Sequence, residues 1–253
     1  MIIKSKQNSL IKIFKKLHKK KGRTESNLFL IEGFKLVQEA LISNISIKNI
    51  LYTDAINNGF IEKIQKDIPC YKIPQELMKV VSTTDNPPPI IGMASMFNLQ
   101  LSKFSDLLIF LESISEPGNL GTIIRSAEAF GVGGIILNKN SVDRFNPKVI
   151  RSSAGSIFRV PVIQSEYRYL KELKDQNFNI IGLDPHKGKL SFNIELRKPI
   201  LIVAGNESHG LSKNILDLID HYVKIPMKGK IESLNISTCI SIMLYEVLRR
   251  QNV

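Results

Sequence analysis

Three short stretches carry the residues whose types and spacing could do chemistry. The first is Glu116-Pro117-Gly118-Asn119-Leu120-Gly121-Thr122-Ile123-Ile124-Arg125. Asn119 is placed to cap a helix, and Arg125, six residues on, could grip a phosphate with a bidentate guanidinium fork. Taken alone, this stretch reads as a cap followed by a surface arginine. The second, Gly205-Asn206-Glu207-Ser208-His209-Gly210-Leu211-Ser212, has nearly the glycine spacing of a phosphate-binding loop. Leu211 stands where the lysine of such a loop belongs, which excludes nucleoside triphosphate binding. Its glycines instead allow close backbone approach and positive φ. Ser212 is expected to cap the next helix, Glu207 reads as a turn acid, and His209 is a lone, structural histidine. The third stretch runs through Ile225-Pro226-Met227 and Gly229 to Ser233-Leu234-Asn235. Ser233 is expected to cap the last helix, whereas Asn235, in the first turn, has no explanation in helix propensity.

Each stretch follows an apolar run of strand length, and open α/β sheets bind ligands beyond their strand ends. The runs Leu107 to Leu111, Gly134 to Leu137, Val160 to Val162, Asn179 to Leu183, Ile200 to Ala204 and Tyr222 to Ile225 alternate with helical patterns at Asn119 to Phe130, Asn146 to Ser153, Tyr167 to Gln176 and from Ser212. This predicts a mostly parallel sheet with helices on both faces. The final helix buries Ile236, Ile240, Met243, Leu244, Val247 and Leu248 on one stripe, so Met243 belongs to the core. Upstream, strands at Phe29 to Ile31, Ile45 to Tyr52, Pro69 to Ile73 and Ile90 to Met96 alternate with helices, a smaller α/β domain over residues 1 to 100. Asn98 to Ser105 is the expected linker, and 105 to 253 the second domain.

The chain has 253 residues, 43% hydrophobic and 23% charged, with a formal charge of +12. These are the proportions of a folded globular protein, and the charge predicts an anionic partner, nucleic acid first. The first hundred residues hold fifteen bases against eight acids. Residues 1 to 24 contain no acid, and Leu10, Ile11, Ile13, Phe14 and Leu17 recur at helical spacing between Lys12, Lys15, Lys16, Lys19, Lys20 and Arg23. One amphipathic helix with a phosphate-facing cationic side is expected. No apolar run reaches membrane-spanning length, no signal-peptide core opens the chain, and Cys70 and Cys239 have no partners at metal-ligand spacing. Two isolated thiols fit a reducing cytoplasm. No GxGxxG follows a strand, and no nucleophilic triad, CxxC pair or HExxH is present.

Jointly the three stretches read N-x-G-x-x-x-R, then G-N-E-x-x-G-L-S, then I-P-M-x-G-x-x-x-S-L-N-x-S. In that order they resemble the SpoU (TrmH-type) RNA 2′-O-ribose methyltransferases of the SPOUT superfamily, over residues 110 to 250. The first hundred residues, with Phe29-Leu30-Ile31-Glu32-Gly33, resemble the RNA substrate-binding domain that often precedes them. The resemblance implies a trefoil-knotted α/β catalytic domain that binds S-adenosylmethionine and dimerises through the C-terminal domain. It implies cofactor contacts from Leu183, Gly205, Ile225, Met227, Ser233 and Leu234, and catalytic roles for Asn119, Arg125, Glu207, Ser233 and Asn235, with no metal. Arg125 would sit by the substrate phosphate and help take the ribose proton; its high pKa makes holding the phosphate the physically safer role. The expected partner is ribosomal or transfer RNA, not a membrane. The alternative is an RNA-binding or ribosome-assembly protein that keeps the fold without activity.

Overall fold

Between Leu28 and Ser95 four short strands pair into one sheet. The computed structural model describes residues 1–102, 105–206 and 210–251. It divides into two units. One comprises Met1–Phe97 with Asp143–Phe158, the other Asn98–Val142 with Arg159–Val253.

The first unit contains α1 (Ser9–Lys16), α2 (Lys20–Ser26), β1 (Leu28–Glu32), α3 (Phe34–Ile42), β2 (Ile47–Tyr52), α4 (Asn58–Ile64), β3 (Cys70–Lys72), α5 (Gln75–Val81) and β4 (Ile90–Ser95). The strand order is β1-β4-β2-β3, antiparallel except for the β2–β3 pair. Side chains alternate across the sheet. Leu30, Leu51, Ile91 and Met93 join Ile11, Phe14 and Leu17 from the N-terminal helix and Leu77, Met78 and Val81 from α5 in one cluster. Phe29, displaced by one residue along β1, stacks instead on Phe97 and Phe145.

The cationic N-terminus is not one helix. α1 stops at Lys16, and α2 begins at Lys20. The break has a steric cause. Gly22 sits so close to the Lys16 carbonyl that any β-carbon there would collide with it. Arg23 then folds back and donates from Nη1 to the Leu17 carbonyl at 2.9 Å and the His18 carbonyl at 3.1 Å. Those carbonyls lie at the end of α1, where a helix has unsatisfied acceptors. The inserted segment belongs here because its side chains are built into this core. Asp143 accepts from Arg23 at 2.6 Å. Arg151 donates to the buried Glu32, whose carboxylate also takes the Thr83 amide at 2.7 Å and hydroxyl at 2.8 Å.

The second unit is built on β5 (Leu107–Leu111), α6 (Pro117–Ala129) and β6 (Gly134–Leu137). After α7 (Pro147–Ser152, in the inserted segment) come β7 (Val162–Gln164), α8 (Arg168–Asp175), β8 (Asn179–Leu183), β9 (Lys189–Leu190), β10 (Ile200–Ala204), α9 (Lys213–Leu216), β11 (His221–Lys224) and α10 (Ile236–Gln251). The sheet order is β7-β6-β5-β10-β8-β11-β9, and every pairing is parallel. β5 and β10, at its centre, are buried at all five positions, as an all-parallel sheet covered on both faces requires. Leu170, Leu173 and Ile215 cover one face with Leu108, Phe110, Leu201 and Val203. Elsewhere α6 and α10 pack together and bury Ile123, Ile124, Ile240, Met243 and Leu244. The chain runs outward from β5 through β6 to β7, then resumes on the other side with β8, β10 and β11. That reversal sets the ends of β8, β10 and β11 around a crevice of the kind in which open parallel sheets bind ligands.

Candidate functional site

The crevice holds a cavity of about 430 Å³. Leu183 and Asp184 come from the end of β8, Gly205 and Asn206 from the end of β10, and Ile225 from the end of β11. Met227, Ser233 and Leu234 come from the segment that leads into α10. All six residues expected to touch a cofactor therefore line one wall or another of the same space.

The β10 loop explains its glycines. Asn206 and Gly210 form an antiparallel bridge, with the Gly210 amide donating to the Asn206 carbonyl at 2.9 Å. The loop folds back so tightly that a β-carbon on Gly205 would strike the Gly210 carbonyl and sit 2.8 Å from the Leu211 nitrogen. Gly210 has φ +67°, a left-handed conformation that favours glycine. Glu207, Ser208 and His209 lie outside the described residues, so the expected role of Glu207 is not placed. On the facing wall, Asp184 Oδ1 accepts from the amides of His186 at 2.9 Å and Lys187 at 3.1 Å, which fixes that turn. The Lys187 ammonium rests 4.2 Å from the centre of the Tyr222 ring, a cation–π contact. Cys239, also on the wall, has its thiol pKa pushed up by burial, which disfavours the thiolate.

Two expected helix caps are corrected. Asn119 does not cap α6: Glu116 does, accepting from the Gly118 amide at 3.2 Å. Pro117 favours the first helical position, so the helix starts two residues earlier and Asn119 falls inside its first turn. Ser233 does not cap α10: α10 starts at Ile236, and Asn235 Oδ1 accepts from the Ser237 amide at 2.9 Å and hydroxyl at 2.6 Å. With its oxygen so occupied, the Asn235 amide group donates to Asn119 Oδ1 at 2.9 Å. The Ser126 and Ser241 hydroxyls, 2.8 Å apart, join the same two helices further along. Arg125, about 9 Å up α6 from Asn119 at 1.5 Å per residue, is exposed and bonds to no described residue. A guanidinium without a partner among the described residues is available to an anion. Ser212 does occupy the N-cap position of α9, but its side chain makes no cap bond.

Of the expected RNA-facing cations, Lys12, Lys15, Lys16, Lys19 and Lys20 are exposed on the N-terminal helices of the first unit, Lys16 paired with Glu25 at 2.7 Å. Arg23 is a correction. It is 2% exposed and committed to Asp143 and the α1 carbonyls, so it serves the fold and cannot face a phosphate. One residue that composition and motifs passed over is Glu112, a carboxylate directly after the all-apolar β5. An acid at the end of a buried parallel strand is the signal that could have drawn attention to it.

A cavity of this size lies within the range of about 300–1,000 Å³ typical of small-molecule sites. Its wall sets apolar Leu183, Leu211, Ile225 and Leu234 beside the backbone of Gly205 and the polar Asn206, which suits a ligand that joins an aromatic base to a charged tail. Comparison with known proteins agrees with that donor set. The SpoU rRNA methylase family model matches residues 106–245, and an MRM3-like substrate-binding domain model matches residues 8–92. The chain is 33% identical to the Bacillus subtilis 23S rRNA (guanosine(2553)-2′-O)-methyltransferase RlmP, over 97% of this chain and 98% of that protein. The structure of an AdoMet-bound rRNA methyltransferase from Sinorhizobium meliloti superimposes with a TM-score of 0.88 at 26% identity, over 100% of this chain and 98% of that one. An RNA 2′-O ribose methyltransferase structure matches with a TM-score of 0.87 at 30% identity over the whole of both chains. The fold and site thus define an S-adenosylmethionine-dependent RNA methyltransferase. The chain belongs to the SpoU rRNA methylase family.

Proposed function

We propose that this enzyme methylates a ribose 2′-hydroxyl in structured RNA, ribosomal RNA first and transfer RNA second. The observation that carries the reading is the convergence of Leu183, Gly205, Ile225, Met227, Ser233 and Leu234 on one cavity, with Asn235, next in sequence, bonded to Asn119 on the helix that bears Arg125. S-adenosylmethionine, when bound, supplies an electrophilic methyl group. The chain's own residues have the remaining tasks. A ribose hydroxyl is a weak nucleophile at neutral pH and has to be held in line and lose its proton as it reacts. Arg125, exposed and unbonded within the described chain, holds the phosphate beside that ribose; a guanidinium stays protonated at neutral pH and donates five N–H groups. Asn119 and Asn235 orient the ribose as a coupled pair, with Ser233 and Glu207 completing the catalytic set.

Residues 1–100 select the RNA and residues 105–253 carry out the transfer. Lys12, Lys15, Lys16, Lys19 and Lys20 meet the phosphate backbone. The catalytic unit forms a trefoil knot and a homodimer, a reading supported by family membership. No described helix is long and apolar enough to cross a membrane. A reducing cytoplasm is the compartment proposed for an enzyme whose cysteines, Cys70 and Cys239, are both free.

The test is transfer of labelled methyl from S-adenosylmethionine to total RNA by wild-type protein, Arg125→Ala and Asn235→Ala. Mapping of 2′-O-methyl positions in RNA from a deletion strain then identifies the nucleotide. Label that survives ribonuclease treatment of the substrate, or no label above background, would refute the proposal.

A further inference from the structure

Glu112 holds both ends of the cavity-forming loop that follows β10. Its backbone amide donates to the carbonyl of Ala204, the last residue of that strand, at 2.9 Å. Its side-chain Oε2 accepts from the amide of Ser212, where the loop ends, at 2.8 Å. The other carboxylate oxygen accepts from the Tyr167 hydroxyl at 2.8 Å, which fixes the rotamer. The next residue adds a third strut, as Asn206 Nδ2 donates to the Ser113 carbonyl at 3.0 Å. The carboxylate is buried, 4% exposed. Charge-assisted hydrogen bonds in such a place are shorter and stronger than neutral ones.

Among the described residues the loop is otherwise tied by the Gly210–Asn206 and Asn206–Ser113 bonds, both made by Asn206 near its start. Ser212 makes no side-chain cap, and its Oγ is the buried side-chain polar atom left without a partner among the described residues. α9 has four residues, too few to anchor the loop by its own stability. Between the two ends held by Glu112 lie Gly205, Asn206, Gly210 and Leu211, all of which line the cavity. Glu112 itself does not line it.

We infer that Glu112 is a positioning residue that sets the affinity for the methyl donor by fixing the two ends of the β10 loop, without taking part in the transfer. The inference rests on the methyltransferase reading above. It predicts a division of kinetic effects. Loss of the brace weakens binding of the cofactor and of its demethylated product, while turnover at saturating cofactor persists. Glu112→Ala removes the bonds to both Ser212 and Tyr167. Glu112→Gln can retain both, because the amide oxygen accepts from Ser212 and the amide nitrogen donates to the tyrosyl hydroxyl, which also accepts. Ser212→Pro removes the donor N–H from the opposite side, together with a hydroxyl that has no partner among the described residues; the Ser212 φ of −71° is one that proline adopts.

The experiment measures S-adenosylhomocysteine binding by calorimetry, and kcat and KM for S-adenosylmethionine and RNA, with wild type and the three variants. For Glu112→Ala and Ser212→Pro, the dissociation constant and the cofactor KM should rise about ten- to hundredfold, the loss expected for one buried charge-assisted bond. kcat and the KM for RNA should stay within about twofold, and Glu112→Gln should restore most of the affinity. If Glu112→Ala does not fold, Ser212→Pro carries the test. Unchanged cofactor affinity in the folded variants, or a fall in kcat at saturating cofactor without a change in KM, would overturn the inference and leave the methyltransferase reading intact. Failure of the wild type to bind S-adenosylhomocysteine would instead overturn that reading, and this inference with it.

Discussion

The side-chain amide of Asn235 donates to the side-chain carbonyl of Asn119 at 2.9 Å, while its own oxygen caps helix α10. One residue thus serves both the helix start and the link between the first and third motifs. Two substitutions separate these jobs. Asn235→Asp keeps an acceptor at a helix N-terminus, where negative charge is favoured, but loses the donor to Asn119. Asn235→Ala loses both. We expect Asp to leave the melting temperature nearly unchanged and Ala to cost about 1 kcal/mol, with methyl transfer reduced at least about tenfold in each. Full activity of the Asp variant would show that the Asn119 link is dispensable.

Arg125 bonds to no described residue and lies outside the cavity wall. Arg125→Ala should therefore leave S-adenosylhomocysteine affinity unchanged while methyl transfer falls about a hundredfold, the size of a positioning loss. Arg125→Lys should recover little, since an ammonium cannot reproduce a bidentate fork. A cofactor affinity that falls in parallel with activity would place Arg125 in the cofactor site instead.

Gly205→Ala puts a methyl group into the Gly210 carbonyl. Relief requires the β10 loop to open, so calorimetry should detect no S-adenosylhomocysteine binding, whereas binding within a few-fold of wild type would mean the loop is not rigid at this point.

Charge in the N-terminal helices has two separable roles. Lys12→Ala, Lys15→Ala and Lys19→Ala should each weaken RNA binding and reduce the slope of log K against log salt by about one. Arg23→Ala should leave that slope alone and destabilise the first unit by about 3 kcal/mol, because it strands Asp143 and the carbonyls at the end of α1. The salt titration and a urea melt read the two effects independently.

Burial pushes the Cys70 thiol up to about 11, and its Sγ donates to the Ile68 carbonyl at 3.2 Å. The folded state therefore favours the protonated thiol. Alkylation of Cys70 by iodoacetamide should be slow at pH 8 and should accelerate as pH rises toward 11. The stability that this shift contributes is complete below about pH 8.5, the pKa of an unperturbed thiol, and is lost as pH climbs through the folded value. Rapid alkylation at pH 8 would contradict this environment for the thiol.

By itself the sequence determined most of the elements and their order, though it did not show β9, put β7 at Val160 to Val162 where the strand is Val162–Gln164, and gave no sign that 143–158 joins the first unit. β5 and β10 begin and end where their apolar runs do, because a strand buried on both faces needs uninterrupted apolar side chains. The order and spacing of the three motifs, read as a family resemblance, pointed to the residues that line the cavity. Only the tertiary structure decided which side chains meet. Asn119 lies 116 residues from Asn235, and Glu112 lies 100 from Ser212. No local pattern encodes such pairs, since they arise from the reversal that places β10 between β5 and β8. The break between α1 and α2 escaped for a related reason. An amphipathic repeat records which face is buried, but not that Gly22 will lie against a carbonyl six residues back and draw a cation, Arg23, into the core.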